Sequence, residues 1–352
     1  MAMASSSGVH LGLVGAGRIG AMHARNLAAL PGVGRLTLAD TDAALSQRLA
    51  DQLGVGHVQG LEQLLASGIE ALVVAAATPA HPFLIMAGVD AGIPVFCEKP
   101  VASNVASSLP VLAHVQAAGG VVQIGHQRRF DSGYLEARRA YRAGELGWIH
   151  SLRAVTCDAA PPPVAFLATS GGLFRDVSVH DFDIIAWLTG RRIVEVYARG
   201  SNNGDPAIGE VADVDTALAV CTLDDGTMAT VSASRYNGAG HDVRLEIQGS
   251  LASVVVGLDE HAALRSAEPG VGFPAGPPHA TFAERFADAY RQEMQAFLQL
   301  VRGERDNPCT PEEAVAASVV ADAAQESLES GGPVRVATVD QALPADGALS
   351  TS

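Results

Sequence analysis

Long apolar runs are missing from this chain. No stretch approaches the ~20 residues that a membrane-spanning helix requires, so a transmembrane protein is not expected. Positive charge is also scarce: Lys and Arg number 23 against 38 Asp and Glu, for a formal net charge of -15. No basic run offsets that balance. Affinity for nucleic acid comes largely from clustered Lys and Arg, so a nucleic-acid partner is excluded. An anionic cofactor is still allowed, because helix N-termini and backbone N–H groups supply local positive potential whatever the net charge. The four cysteines, Cys97, Cys157, Cys221 and Cys309, form no C-x-x-C pair and have no histidine at metal-ligand spacing. Reduced thiols are expected, with neither disulfides nor a metal site. Residues 1–7 are small and polar without a basic segment, so no secretory leader is expected and the protein is placed in the cytoplasm. Internal repeats are lacking too.

What the chain does have is length and patterned apolar sequence. Its 352 residues, 48% hydrophobic, suffice for two domains with separate cores. The first third alternates short apolar runs (9–14, 36–40, 71–76, 94–98, 121–124) with helical patterns (19–30, 43–53, 61–66, 82–91, 103–118). Repeated β-α-β units of this kind imply an α/β domain, a parallel sheet doubly wound by helices. The texture changes after about Gln127. Helical patterns at 132–143 and 177–188, the latter amphipathic, precede strand-like segments at 193–199, 216–222, 228–234, 243–248 and 252–256. Two helices (282–301, 311–330) and a short strand (334–336) close the pattern. The expectation is a dinucleotide-binding domain over 1–126 and an α+β domain with a large, mostly antiparallel open sheet over 127–340. A disordered tail follows at 341–352. An open sheet leaves a face to cover, which predicts a homodimer or homotetramer packed through it.

Gly15, Ala16, Gly17, Arg18, Ile19 and Gly20 follow the first strand and open the first helix. This G-x-G-x-x-G is the Rossmann fingerprint: a tight turn, a close approach of backbone to a pyrophosphate, and close helix–strand packing. Asp40 ends the next strand, where a carboxylate accepts hydrogen bonds from the ribose hydroxyls and repels a 2′-phosphate. Thr41 and Asp42 supply no cation for such a phosphate, so NAD is expected over NADP. Asp40 is also a candidate N-cap for the following helix.

Three motifs sit at later strand ends: Ala77-Thr78-Pro79 with His81, Glu98-Lys99-Pro100, and Gly125-His126-Gln127-Arg128-Arg129-Phe130. Ligands of open α/β sheets bind beyond the carboxyl ends of the strands, which turns these motifs towards the cofactor. Gly171-Gly172-x-x-x-Asp176-x-x-x-His180 adds a carboxylate and an imidazole on one face of a helix start. Taken together and in this order, these motifs resemble the glucose–fructose oxidoreductase / inositol dehydrogenase family (Gfo/Idh/MocA), from about residue 9 to residue 330. Arg128-Arg129-Phe130-Asp131-Ser132-Gly133-Tyr134 and the segment around Asp242-Val243-Arg244 are most similar to inositol 2-dehydrogenases.

The resemblance implies a catalytic set of Lys99, Asp176 and His180. It puts Thr78, His81, Glu98, Gln127 and Tyr290 at the cofactor, and Arg128 and Asp158 at substrate hydroxyls. His241 stands where relatives carry a Tyr before the D-[IV] pair, and it joins the substrate-binding candidates. The chemistry suits these groups. Removing a hydride from a secondary alcohol requires loss of the hydroxyl proton, and an imidazole with an ordinary pKa near ~6.5 is a natural base. An ammonium lowers the barrier where alkoxide character develops, or enters the proton relay itself. The expected activity is NAD-dependent oxidation of a secondary ring alcohol, with myo-inositol to 2-keto-inositol as the leading case. Sugar or aminocyclitol oxidation and NAD-assisted glycoside cleavage are the alternatives. A non-catalytic dinucleotide sensor has no need of a base and an alkoxide stabiliser together.

Overall fold

Apolar runs bounded by turns become strands covered on both faces in the computed structural model, which describes residues 8–342. Strands β1 (Val9–Val14), β2 (Val33–Ala39), β3 (Gly56–His57), β4 (Ala71–Val74), β5 (Val95–Glu98) and β6 (Val122–Gly125) form one parallel sheet. Its order is β3-β2-β1-β4-β5-β6, and the topology reverses at β1/β4. All four residues of β4 are buried, and Leu11 and Leu13 of β1 are wholly so. Helices Arg18–Ala28, Ala43–Leu53, Gly60–Ala66, His81–Asp90 and Val105–Ala118 make the crossovers. Asp42, not Asp40, caps the second of these, accepting from the backbone N–H groups of Ala44 and Leu45.

Contacts divide the chain into two compact units: 1–127 with 288–315, and 128–287 with 316–352. The first unit thus recruits a helix from far along the sequence. Met294, Phe297 and Leu298 of helix Ala287–Val301 join the core cluster of Leu11, Leu13, Leu27, Leu38 and Phe96. The rings of Phe96 and Phe297 lie 5.7 Å apart. Each such side chain contributes about 1.5–3 kcal/mol by leaving water. Ile124 of β6 donates to the Cys309 carbonyl, tying down the rest of the returning segment.

The second unit is built on β7 (Ile149–Cys157), β8 (Ile193–Ser201), β9 (Thr216–Leu223), β10 (Met228–Ser234), β11 (Asp242–Gly249), β12 (Ser253–Val256) and β13 (Val334–Arg335). Their order is β12-β11-β7-β10-β9-β8-β13. Every pairing is antiparallel except β7 with β10. The long excursion between those two strands, through helices and the β8–β9 hairpin, is what allows β10 to return parallel to β7. Side chains alternate across the sheet. Ala217, Ala219 and Cys221 of β9 are buried, while Leu218 and Val220 are exposed.

Some local structure departs from the sequence expectation. The helix expected to be amphipathic, Val179–Thr189, is buried over most of its circumference, and even Asp181 and Asp183 are inside, paired with Arg128 and Arg129. A π-helical turn, Phe174–Ser178, precedes it. Short helices Val164–Ser170 and Pro206–Glu210 fill segments that carry no periodic pattern. The expected 282–301 helix breaks at Phe286, whose buried ring lies beneath the Arg128 and Arg285 guanidiniums. Gln341 and Ala342 still belong to a helix, Val339–Ala342; the rest of the expected tail lies outside the described residues. Among the described residues no helix is long and apolar enough to cross a membrane.

Candidate active site

The glycine turn shows why each of its three glycines is there. Gly15 has φ +101°, and a Cβ on it would lie 2.5 Å from the Ala75 backbone; one on Gly20 would lie 1.8 Å from the Gly15 carbonyl oxygen. The fold demands both. Gly17 differs. It is exposed, its φ of -66° suits any residue, and a Cβ there would meet nothing within 4 Å. Packing gives no reason for glycine at this position, whereas a diphosphate lying against the helix N-terminus does. Ala16 is buried, and Arg18 and Ile19 open the helix beside it. A Gly17→Ala variant should therefore keep the parent melting temperature and lose about tenfold in NAD affinity, or ~1.4 kcal/mol. Calorimetric titration beside a thermal melt checks both.

Asp40 closes the same turn. Its carboxylate accepts from the Ala16 N–H at 2.6 Å, the Asp42 N–H at 2.8 Å and the Thr41 hydroxyl at 3.2 Å. These bonds fix an acidic group at the end of β2 beside the glycine turn, and the residues present fit a dinucleotide with an unmodified ribose.

Beyond β4, Ala77 is exposed and Thr78 half-buried at the head of a short 3-10 turn. His81, expected to line the cofactor, is instead inside: Nδ1 lies 2.7 Å from the Pro100 carbonyl and Nε2 3.1 Å from the Ala76 carbonyl. It joins the β4 turn to the residue after Lys99. Lys99 itself is half-buried, directly after β5. Gln127 is buried in the turn after β6.

Glu98 bonds His23 of the first helix at 2.6 Å, and Tyr290 stacks edge-on against the same imidazole at 5.8 Å. A fourth member of this group, Glu293, is like His23 not among the residues that sequence motifs single out. Ligand-type atoms of His23, Glu98 and Glu293 lie within 4.8 Å of one another. Glu293 is wholly buried, and neither carboxyl oxygen has a hydrogen-bond partner. The one signal in the sequence is a lone acid among the core positions Ala289, Tyr290, Met294 and Phe297 of one helix. Burial, then the nearby Glu98 charge, pushes the Glu293 carboxyl well above the ordinary carboxylate range. A carboxyl whose folded-state value is raised contributes full stability below its unfolded value and loses it as pH rises through the folded one. Glu293→Gln keeps the shape without that loss. Its melting temperature should match the parent near pH 4, below the unfolded carboxyl value, and exceed it by several degrees at pH 9, as followed by thermal melts across that range.

In the second unit, Asp176 lies in the π-turn and His180 one turn on, at the start of helix Val179–Thr189; both are half-buried. π-turns often mark functional positions. Arg235, which no sequence motif marks, reaches Asp176 at 3.2 Å and Asp213 at 2.8 Å. Arg128 departs from expectation. Its guanidinium is buried and held by Asp181 at 2.5 Å and Thr156 at 2.9 Å, which commits it to the interior and not to substrate hydroxyls. Asp158 and His241 do come together, with Nδ1 3.2 Å from the carboxylate, and the buried Nε2 has no hydrogen-bond partner. Burial pushes the Cys157 thiol up to about 11, that of Cys221 to about 12, and that of Cys97 well above its usual value. None of these three is a thiolate nucleophile at neutral pH.

A parallel sheet in this order, the exposed and unpacked Gly17 and the Asp40 clasp agree with two further matches. Residues 9–126 match the family model described as oxidoreductase family, NAD-binding Rossmann fold. Residues 138–336 match its companion, described as oxidoreductase family, C-terminal alpha/beta domain. The chain belongs to the Gfo/Idh/MocA oxidoreductase family. Its cofactor is NAD. Among members of the family, the myo-inositol dehydrogenase Hyg17 of Streptomyces leeuwenhoekii is 38% identical over 84% of this chain and 89% of its own length. The scyllo-inositol 2-dehydrogenase (NAD(+)) of Bacillus subtilis is 33% identical over 93% and 96%. The crystal structure of scyllo-inositol dehydrogenase from Lactobacillus casei with bound NAD(H) and scyllo-inositol superimposes with a TM-score of 0.84. It is 29% identical and covers 94% of this chain and 100% of that one.

Proposed function

We propose that this protein oxidises a secondary ring alcohol of a cyclitol, with myo-inositol giving its 2-keto form as the leading reaction. One observation carries the substrate class: the likeness, over 94% of the chain, to a dehydrogenase whose structure holds NAD(H) and scyllo-inositol. When bound, NAD supplies the acceptor for the hydride leaving the alcohol carbon. The chain's residues handle the remaining charge. His180 accepts the hydroxyl proton as the C=O bond forms. The Lys99 ammonium stabilises the oxygen as negative charge develops on it. Asp176 accepts a hydrogen bond from a neighbouring ring hydroxyl, and Asp158 with His241 selects among hydroxyl patterns.

NADH formation with myo-inositol, scyllo-inositol, D-glucose and an aminocyclitol tests this reading. Mildly alkaline pH is the right condition, because oxidation releases a proton. Turnover with an inositol is expected. Activity confined to aldoses removes the cyclitol reading, and glycoside cleavage without net NADH replaces the dehydrogenase altogether.

The open sheet face supports self-association into a dimer or tetramer. Leu218 is 59% exposed, Tyr197 and Val220 are cross-strand neighbours on the exposed side, and Met228 is exposed at the start of β10. Apolar residues side by side on a sheet suit a second copy of the chain. Leu218→Asp should shift the protein to a smaller species in sedimentation velocity while retaining NAD binding; an unchanged sedimentation coefficient removes this face from the interface. The cysteines, none in a disulfide, suit the cytoplasm.

A further inference from the structure

The Arg235 guanidinium lies wholly inside the protein, just past the end of β10. β10 pairs with β9 through Ser234 and Thr216, and this register brings Arg235 beside the residues that precede β9. The Arg235 N–H donates to the Asp215 carbonyl at 2.7 Å, and Nη2 donates to Asp213 at 2.8 Å. Asp213 is itself fixed. Its other oxygen accepts from the N–H groups of Leu173 and Val214, both at 2.9 Å. Leu173 is the residue from which the π-turn bearing Asp176 begins. The same carboxylate therefore anchors the start of that turn and one arm of the guanidinium, while Nη1 reaches Asp176 at 3.2 Å. The three groups differ in access: Asp213 is inside, and Asp176 retains 19% of its side-chain exposure.

We propose that Arg235 is a positioning residue, a buried fork clamped by Asp213 that holds the Asp176 carboxylate in the orientation from which it meets the substrate. The proposal rests on the role given to Asp176 above. The geometry needs arginine in particular. A planar guanidinium spans two carboxylates at once, whereas an ammonium on a flexible stem is a point charge with no fixed fork. A buried charge also requires its partners, so Arg235, Asp213 and Asp176 form one unit and not three independent residues.

The test is a coupling measurement. Arg235→Lys keeps the charge and should lower kcat about 10–100-fold, the cost of a small misplacement near a reacting centre. The KM for NAD should stay close to the parent, while the melting temperature falls by a few degrees because a buried ammonium cannot meet both carboxylates as the fork does. Asp176→Ala should lower kcat on its own, and adding Arg235→Lys to it should cause no further loss, because the arginine acts through the carboxylate. Full kcat in Arg235→Lys overturns the proposal, as does a loss that multiplies with that of Asp176→Ala. Full activity in Asp176→Ala alone overturns the reading of Asp176 instead, which keeps the two failures distinct. If Arg235→Lys does not fold, Asp213→Asn reads the same coupling by loosening the anchor.

Discussion

Lys99→Ala should lose about 10²–10³ in kcat while binding NAD almost as tightly as the parent. The lysine follows β5 directly, between Glu98 and Pro100, whereas the groups that fit the diphosphate and the ribose lie at the glycine turn and at Asp40. In the mechanism proposed above, the ammonium is needed only as the alcohol oxygen becomes negative. Such a contact is stronger in the transition state than in the ground state, so its removal lowers kcat and kcat/KM together. Arginine at the same position retains the charge in a larger, planar group and should recover only part of the rate. Steady-state kinetics with an inositol, beside direct titration of NAD, separate the two effects; turnover at the parent rate in Lys99→Ala would remove this residue from the chemistry.

His180→Ala should lower kcat by about 10²–10⁴, the range expected for a positioned general base. The pH profile identifies the role. With the imidazole present, kcat/KM rises with pH as the base loses its proton and then levels. Without it, that limb disappears and the residual rate follows solvent base. Asp176→Asn makes the companion measurement, because it removes a charge one turn away from an intact imidazole and should leave the limb in place with lower amplitude. A profile in His180→Ala that keeps the parental shape assigns proton removal to another group, with Lys99 the first to examine.

Much of the first sheet is legible in the amino-acid sequence. Runs such as Ala71–Val74 have no polar face to place, which forces burial on both sides and hence a parallel, helix-covered sheet. Gly15 and Gly20 are legible too, since their spacing describes a backbone path. Long-range partners are not. The core stripe of helix Ala287–Val301 says that it packs on something, yet nothing local says that its partner is the first unit. Arg235 reads as an ordinary charge after a strand until the β9–β10 register sets it beside Asp213. Arg128 and His81 show the opposite limit. Motif position places both near a site, but Asp181 and the Pro100 carbonyl claim their polar atoms for the interior. The parallel pairing of β7 with β10 is hidden for a similar reason, since turn chemistry reports hairpins and says nothing about a strand that returns after a long excursion.

The discontinuous first unit has a consequence for the growing chain on the ribosome. By the time residue 127 has been made, all six strands of the parallel sheet exist, but Leu11, Leu27 and Phe96 still lack the apolar cover that Met294 and Phe297 later provide. Vectorial synthesis completes the second unit's sheet strands β7 to β12 before it completes the first unit's core. A stop codon between positions 127 and 294 would leave a nucleotide domain with its fingerprint intact and an oily groove open, a species destined for chaperones and not for catalysis.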